Sequence, residues 1–177
     1  MNQIIIEPYE PFDSNDSESG RRRRRKGFGA NLYTIRFIDE EISETDKFID
    51  DYIDDYEEDM AIIAAKMKNI QIRGAKEIYF RAAGSIMDAV MELPEKEQYS
   101  KLRLYCLRWT ERILILGNGG VKEVRTYQED DLLYGHVKLL QKLSELLQER
   151  IVVDREIQIT EDDKLIGNLE FEIDDIF

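Results

Sequence analysis

The segment from Lys101 to Tyr127 constrains the fold of this chain more than any other part of the sequence. Its β-branched, leucine and aromatic residues lie between turn-forming residues, which is typical of strands in a half-buried sheet. We therefore predict two or three short strands here. They bring together five polar side chains, Arg103, Tyr105, Arg108, Lys122 and Arg125. Because an arginine set into a sheet must reach water, a carboxylate or a phosphate, the identity of that partner is the main functional question.

The composition indicates one globular domain with an acidic surface. The chain has 177 residues, of which 42% are hydrophobic and 36% charged, and its formal net charge is -13. Such a charge argues against a general nucleic-acid-coating protein, because phosphate contacts need clustered Lys and Arg, but it is compatible with a local basic pocket. The single cysteine, Cys106, excludes an intrachain disulfide and is expected to be a small core residue. The single histidine, His136, excludes a two-histidine metal site.

Residues 1–30 are predicted to be a flexible N-terminal tail, in which two prolines limit any strand to a sheet edge. The tail contains a basic run, Arg21–Lys26. This run is either an arm for nucleic acid or another anionic surface, or a charge block that docks on the acidic surface of its own chain. The acidity of the body favours the second interpretation. The sequence has no apolar run of bilayer length and no secretory signal pattern, so we expect a cytoplasmic location and no membrane partner.

The main domain is predicted to span residues 31–150. It begins with a strand at residues 31–38, and Ser43 then caps one long helix or two consecutive helices that end at Gly74. The outer face of this helical region is acidic. We interpret it as a solvated face rather than a Ca²⁺ or Mg²⁺ site, because no glycine-turned loop draws the carboxylates together.

The second half of the domain is predicted to be a three-stranded meander followed by a helix. Residues 102–109 form its first strand, residues 113–116 an apolar central strand, and residues 121–127 a third strand after a tight turn at Gly117–Gly120. The helix runs from about residue 130 to residue 150, and His136 is expected to be a partly exposed residue on it.

Residues 151–177 are predicted to form a C-terminal hairpin extension. The expected fold class is therefore α+β. It has an N-terminal strand and helices packed on one face of an antiparallel sheet of three to four strands, followed by a helix and a hairpin.

The pattern LRLYCLRW…RILILGNGGVKEVRTYQEDDLL resembles the sheet core of the RelE/ParE toxin superfamily, and most closely its HigB-like branch, which includes phage-derived members. In that branch an arginine-bearing strand leads through a turn to an apolar strand, and a basic strand and a helix follow. The matching residues are Leu102, Arg103, Tyr105 and Arg108, then Ile113 to Leu116, then Lys122, Arg125 and Thr126. The resemblance covers roughly residues 31–150.

This resemblance implies the toxin component of a type II toxin–antitoxin pair. Such a toxin is a metal-independent endoribonuclease without a cofactor. It cuts messenger RNA on the ribosome and is held inactive by an antitoxin protein of helix-turn-helix type. Cleavage needs a base for the 2′-hydroxyl, cations for the phosphate and an acid for the leaving oxygen. By resemblance, the catalytic candidates are Arg103, Lys122, Arg125 and Tyr105, and the RNA-binding candidates are Arg108, Tyr127 and Trp109, with no metal ligand.

The chain departs from the family pattern in its charge and in its C-terminal extension, and the acidic charge favours a non-catalytic alternative. Family toxins are usually basic, whereas this chain is strongly acidic, and residues 151–177 lie outside the compact toxin pattern. The alternatives are a toxin-fold binding module that contacts an antitoxin or DNA gyrase, and an accessory protein whose acidic helix is the working surface. Strand alternation also separates the candidates, because Arg103 and Tyr105 share one face and Arg108 lies on the other, where an acid from the long helix can pair with it. Trp109 is more readily explained as a core or turn-capping aromatic.

Overall fold

A computed structural model of the chain describes residues 2–11, 29–83, 89–123 and 130–174. A π-helical turn at Glu149–Val153 and two 3₁₀ turns at Glu77–Tyr79 and Glu97–Tyr99 connect its elements. The helices and strands are, in chain order, β1 (Asn2–Pro8), β2 (Asn31–Phe37), α1 (Glu44–Tyr52), α2 (Glu57–Arg73), β3 (Arg81–Ala82), β4 (Val90–Leu93), β5 (Leu102–Thr110), β6 (Ile113–Val121), α3 (Asp131–Gln148), β7 (Ile157–Ile159), β8 (Leu165–Gly167) and β9 (Glu170–Ile173).

The described strands form a seven-stranded sheet in the order β3-β4-β5-β6-β2-β1-β9, while β7 and β8 form a separate hairpin. Strands β2 and β6 are parallel, and the other neighbours in the sheet are antiparallel. The mixed α+β class is confirmed, but the prediction of three to four strands is wrong. The sheet is larger because β1 and β9, from the two ends of the chain, extend it beyond β2.

The N-terminal strand β1 lies inside the sheet, between β2 and β9, so the prediction that prolines confine it to an edge is wrong. Pro8 is the last residue of β1 and lies opposite Tyr33 of β2. The pairing with β9 ends at Ile5, three residues earlier. Strand β9 therefore does not need the N–H that Pro8 lacks, and the sheet tolerates the proline for this reason.

Helices cover both faces of the sheet, so the prediction that they share one face is wrong. On β5, Leu104 and Cys106 belong to the core beneath α1 and α2, whereas Tyr105 and Leu107 belong to the core beneath α3. Every residue from Leu102 to Leu107 is buried. A strand that is apolar on both faces needs a covering layer on each side, and α3 supplies the second layer.

Strand β6 continues through Gly117–Gly120, so the tight turn predicted there is also wrong. These glycines permit close packing instead. A Cβ atom on Gly119 would lie 1.8 Å from the carbonyl oxygen of Arg103, and one on Gly117 would lie 3.1 Å from Leu140 Cδ1. The third strand predicted at residues 121–127 falls largely on residues 124–129, which lie outside the described residues.

Helix α1 is attached to an irregularity of β6, where two residues, Gly117 and Asn118, lie opposite one residue of β5. The hydroxyl of Thr45 donates to the Gly117 carbonyl at 3.0 Å, and the Asn118 amide donates to Glu44 at 3.1 Å. Ser43 caps the helix as predicted, since its hydroxyl accepts from the N–H of Asp46 at 3.1 Å. These contacts fix α1 and the end of β6 to each other.

We expect Gly119→Ala to destabilise the protein by at least about 3 kcal/mol, because the added methyl group meets backbone that cannot rotate away. Denaturant unfolding followed by circular dichroism measures this loss. Gly120→Ala is the control, since its Cβ would meet only side-chain atoms of Leu133 and Tyr52 at 3.0 and 3.2 Å, and we expect it to cost about 1 kcal/mol. Equal losses in the two variants would contradict the close approach of β5 and β6.

Candidate functional site

A buried carboxylate on β4, Glu92, lies close to three cations. Its Oε1 atom is 3.3 Å from Lys122 Nζ, 3.6 Å from Arg103 Nε and 3.8 Å from Arg81 Nε. We call these four residues the Glu92 cluster. It joins the edge strand β3 and its neighbour β4 to β5 and to the residue that follows β6.

The strand register explains how the cluster forms. Arg81 of β3 and Tyr105 of β5 lie directly opposite Glu92 on its two neighbouring strands. Arg103 precedes Tyr105 by two residues and therefore shares its face of the sheet. Lys122 follows the last residue of β6, and its N–H donates to the Lys101 carbonyl at 2.9 Å. The antiparallel pairings of β4 with β3 and β5, together with the end of β6, therefore place all four side chains next to one another.

Most of the Glu92 cluster is inaccessible to solvent. The side chains of Glu92, Arg103 and Lys122 are 1%, 3% and 9% exposed, whereas that of Arg81 is 43% exposed. Arg103 Nη1 also donates to the carbonyl oxygens of Ser100 at 2.5 Å and Leu102 at 2.8 Å. The protein itself therefore occupies the guanidinium group on which the phosphate-binding prediction depends.

The charges of the cluster do not cancel. One carboxylate faces three cations, so these four side chains carry two positive charges in excess. A buried charge is costly unless it is paired, and a pair near the surface gains less than a buried one. The cluster can therefore hold the strands together, and it can attract an anion on the side of Arg81.

The structure brings some of the predicted site residues together and separates others. Arg103, Lys122 and Tyr105 lie at or beside Glu92, on the α3 face of the sheet, and Tyr105 is fully buried. Arg108 lies on the opposite face, as strand alternation predicts. Its Nε donates to the Ala75 carbonyl at 2.5 Å.

The remaining candidates lie elsewhere or outside the described residues. Arg108 Nη1 is 3.8 Å from Glu77, an acid of the 3₁₀ turn after α2 rather than of the helix itself. Trp109 is partly buried and packs against the core beneath α3. Arg125 and Tyr127 lie in residues 124–129, outside the described part of the chain.

Sequence reasoning missed Glu92 and Arg81. The signal for Glu92 is a single acid within VMEL, where Val90 and Glu92 share a face and Leu93 lies on the other. An acid at an inward-facing position of a short strand predicts a buried cation nearby. The signal was weak because β3 and β4 contain only two and four residues.

The acidic face predicted on the helices includes an open groove at the junction of α1 and α2. The groove has a volume of about 410 Å³ and is lined by Asp54, Asp55, Tyr56, Glu57, Glu58, Asp59 and Lys101. Within the described residues, no group of three or more His, Cys, Asp or Glu side chains is arranged to hold a metal ion. The acidic residues that line the groove make it a surface of negative charge.

Cys106 and His136 are both buried. The prediction that Cys106 is a core residue is confirmed, and burial raises the pKa of its thiol. The prediction that His136 is partly exposed is wrong, because this side chain is buried on α3, which packs against β5 and β6. Burial lowers the pKa of His136 to about 4, against a smaller raising effect of Asp130, and Lys47 lowers it further. A neutral buried imidazole and a protonated buried thiol are not poised for catalysis.

Comparison with protein-family models, with curated proteins and with solved structures gave no match. The toxin resemblance therefore depends on the residues of this chain alone. Among the described helices, none combines the length and the apolar composition needed to cross a membrane.

We expect Glu92→Gln to destabilise the protein by about 3–5 kcal/mol, because it leaves Arg103 and Lys122 buried without their counter-charge. Denaturant unfolding at neutral pH measures the loss. Glu77→Gln is the matched control, since Glu77 is 81% exposed and 3.8 Å from Arg108, and we expect it to cost less than about 0.5 kcal/mol. A loss at Glu92 as small as that at Glu77 would mean that the cluster does not stabilise the fold.

Protonation of His136 is expected to destabilise the folded state in mild acid. Its pKa is about 4 when folded, below the ordinary value of about 6.5, so the unfolded chain binds more protons between these values. Stability should therefore fall as the pH drops, by about 2 kcal/mol between pH 7.5 and pH 5. His136→Gln should remove this part of the pH dependence. Parallel stability–pH curves for the two proteins would contradict the depressed pKa.

Proposed function

We propose that this chain is a toxin-type protein that acts by binding another protein rather than by cleaving RNA. The observation that carries this proposal is the enclosure of Arg103 and Lys122 by the protein. Glu92 Oε1 lies 3.3–3.6 Å from both cations, near the position that a phosphate oxygen would need. A phosphate would have to displace this carboxylate and overcome its negative charge, while Arg103 stays bonded to two backbone carbonyls.

The order of the elements supports the toxin-type part of the proposal. A strand, two helices, an antiparallel set of strands and a further helix follow one another from β2 to α3. This is the order that the resemblance implies for residues 31–150. Strands β1 and β9 and the hairpin of β7 and β8 are additions to it, and they enlarge the sheet and the core without changing that order.

The charge distribution supports a protein partner with a basic surface. Between Asp39 and Asp59 the sequence has twelve acids and one lysine. This segment includes α1 and the acidic groove before α2. A helix-turn-helix antitoxin has a cationic face that contacts DNA phosphates, so it could meet this acidic surface with complementary charge. Such a pair, and DNA gyrase as an alternative partner, would act in the cytoplasm.

A second candidate, the metal-independent endoribonuclease, is favoured by the excess positive charge of the Glu92 cluster. Arg81 is 43% exposed, so an RNA phosphate could approach the cluster from its side. Glu92 would then compete with Lys122 for the role of base that takes the 2′-hydroxyl proton. The 2′-oxygen would attack phosphorus, the bond to the 5′-oxygen would break, and the protonated base would return its proton to that oxygen, because Tyr105 is fully buried and does not reach it. Arg103 and Arg125 would stabilise the charge on the phosphate.

Controlled expression combined with a cleavage assay separates the two candidates. We expect growth arrest on expression, and intact messenger RNA when the purified chain is added to translating ribosomes. Arg81→Gln and Arg125→Ala should leave the arrest unchanged. Asp54→Lys combined with Asp55→Lys reverses the charge of the acidic groove, so it should relieve the arrest if the groove contacts a target such as DNA gyrase, and should leave the arrest intact but prevent its neutralisation by an antitoxin if the groove contacts the antitoxin. Arg112→Gln is a control for arginine loss, since Arg112 is paired with Asp163 away from the Glu92 cluster.

Cleavage that is lost in Arg81→Gln and Arg125→Ala but kept in Arg112→Gln would contradict the binding proposal and support the nuclease. Expression without any effect on growth would contradict both toxin-type candidates. Arg103→Ala is not among these variants, because it removes a buried counter-charge of Glu92 and is expected to destabilise the fold. A loss of activity in that variant would not be distinguishable from a loss of folded protein.

A further inference from the structure

Strand β9 forms one edge of the seven-stranded sheet, and within the described residues no strand pairs with its outer side. Its pairing with β1 determines which backbone groups face outward. The Ile6 N–H donates to the Leu169 carbonyl at 3.0 Å, so Leu169 and Phe171 direct their N–H and C=O groups toward β1. The backbone groups of Glu170 and Glu172 therefore point away from the sheet, where a further strand would bond to them.

The outer side of β9 is closed at one end and open at the other. The Glu170 N–H donates to Asn168 Oδ1 at 3.2 Å, and the Glu170 carbonyl accepts from Arg150 Nη1. No group of the described part of the chain bonds to the outward N–H and C=O of Glu172. Arg150 and Asn168 therefore limit an added strand at Glu170 and leave the edge open from Glu172 onward.

A groove of about 290 Å³ lies at this edge, between β9 and the end of α3. Helix α3 contributes Leu146 to its wall. The π-helical turn contributes Arg150, whose guanidinium carbon is 4.1 Å from the centre of the Phe171 ring. Glu156 Oε2 is 3.7 Å from Arg150 Nε and helps to hold this guanidinium in place. An open strand edge beside a groove suits strand addition, in which main-chain hydrogen bonds give affinity and alternate side chains give specificity.

The side chains of β9 determine what an added strand must carry. Glu170 and Glu172 are exposed on one face of the sheet, and Asp174, the residue after β9, continues this acidic row. A second depression of about 260 Å³ beside Glu172 is also lined by Asp39. On the other face, Phe171 belongs to the apolar core beneath α3. An added strand therefore meets carboxylates on one face and a largely apolar wall on the other.

We propose that the outer edge of β9 binds an extended segment of a partner protein as an eighth strand of the sheet. The segment alternates basic residues, which face Glu170 and Glu172, with apolar residues, which pack on Leu146 and the aliphatic part of Arg150. Its backbone bonds to the outward groups of Glu172. The inference goes beyond the proposed function, because it uses no residue of the Glu92 cluster or of the acidic groove.

A second copy of the chain is a poorer occupant of this edge than a basic partner. Two copies related by a two-fold axis would pair β9 antiparallel with itself. In the register centred on Glu172, each Glu172 would lie opposite its counterpart, and Glu170 would lie opposite Asp174 of the other copy. Like charges directly opposite one another destabilise a sheet, so the acidic row disfavours self-association and favours a cationic strand.

A peptide of about seven residues that alternates Lys and Val tests the proposal with the full-length protein. Because the chain has a net charge of -13, it attracts any cationic peptide, so two peptides of equal charge serve as controls. One has the same residues in blocks of Lys and Val. The other carries N-methyl groups on its internal residues, which remove the main-chain donors. In fluorescence anisotropy at physiological salt, we expect the alternating peptide to bind at least about tenfold more tightly than either control.

Variants of the protein locate the binding. Glu172→Pro removes an outward N–H of β9 but no hydrogen bond to β1, so it should weaken binding of the alternating peptide at least about tenfold. Glu172→Lys should weaken it about fivefold. Glu161→Lys, the same change of charge in the exposed turn between β7 and β8, should stay within about twofold. Asp54→Lys combined with Asp55→Lys should leave the preference for the alternating peptide unchanged, which separates this edge from the acidic groove.

Hydrogen exchange of the Glu172 amide adds a readout that charge alone does not move. This exchange should slow at saturating peptide, because the N–H becomes hydrogen-bonded.

The proposal is overturned if a control peptide binds as tightly as the alternating one, if Glu172→Pro keeps full affinity, or if exchange of the Glu172 amide does not change. A dimer in sedimentation that dissociates in Glu172→Pro would show that a second copy occupies the edge, and would also overturn it. Thermal melting checks the fold of each variant. The peptide controls use the unchanged protein, so they decide the question even where Glu172→Pro does not fold.

Discussion

The buried carboxylate of Glu92 is the interaction on which the candidate site depends. It lies opposite Arg81 and Tyr105 on neighbouring strands and within 3.6 Å of Arg103 and Lys122. Without a counter-charge, neither of these two cations could stay where the strand register places them, since ions in a core are costly unless paired. The short strand β4 thus determines whether Arg103 of β5 and Lys122 after β6 belong to the interior or to a binding surface.

The close packing of β5 against β6 is the second constraint, and it explains why helices are needed on both sides. Gly119 lies against the Arg103 carbonyl, and the side chains of β5 alternate between two apolar cores. Helix α1 is fastened to β6 through Thr45 and Asn118, while α3 covers the other face. A sheet buried in this way can present functional groups only at its edges, at strand ends and on the connections, which is where Arg81 and Lys122 lie.

Much of the fold could be predicted from local patterns, whereas its long-range pairings could not. The strand at Leu102–Thr110, the cap at Ser43 and the helix at Asp131–Gln148 follow from periodicity and capping residues. The addition of β1 and β9 depends on contacts between the two ends of the chain, which no local pattern encodes.

The glycines of β6 were misread because glycine serves both turns and close approach, and only the partner strand distinguishes these uses. For the site, alternation placed Arg103 and Arg108 on opposite faces correctly, but the partner that buries Arg103 was not foreseen.

The separation of charge across the molecule connects these features. A nuclease of the expected type needs cations that both bind the phosphate and stabilise its developing charge at one accessible place. Here the strand cations are held by Glu92, and the acidic residues gather at the start of α2. Two of the three cations beside the carboxylate are nearly inaccessible to solvent, and only Arg81 is substantially exposed. An anion that approaches the cluster would meet Arg81 first and would have to displace Glu92 to reach Arg103 or Lys122.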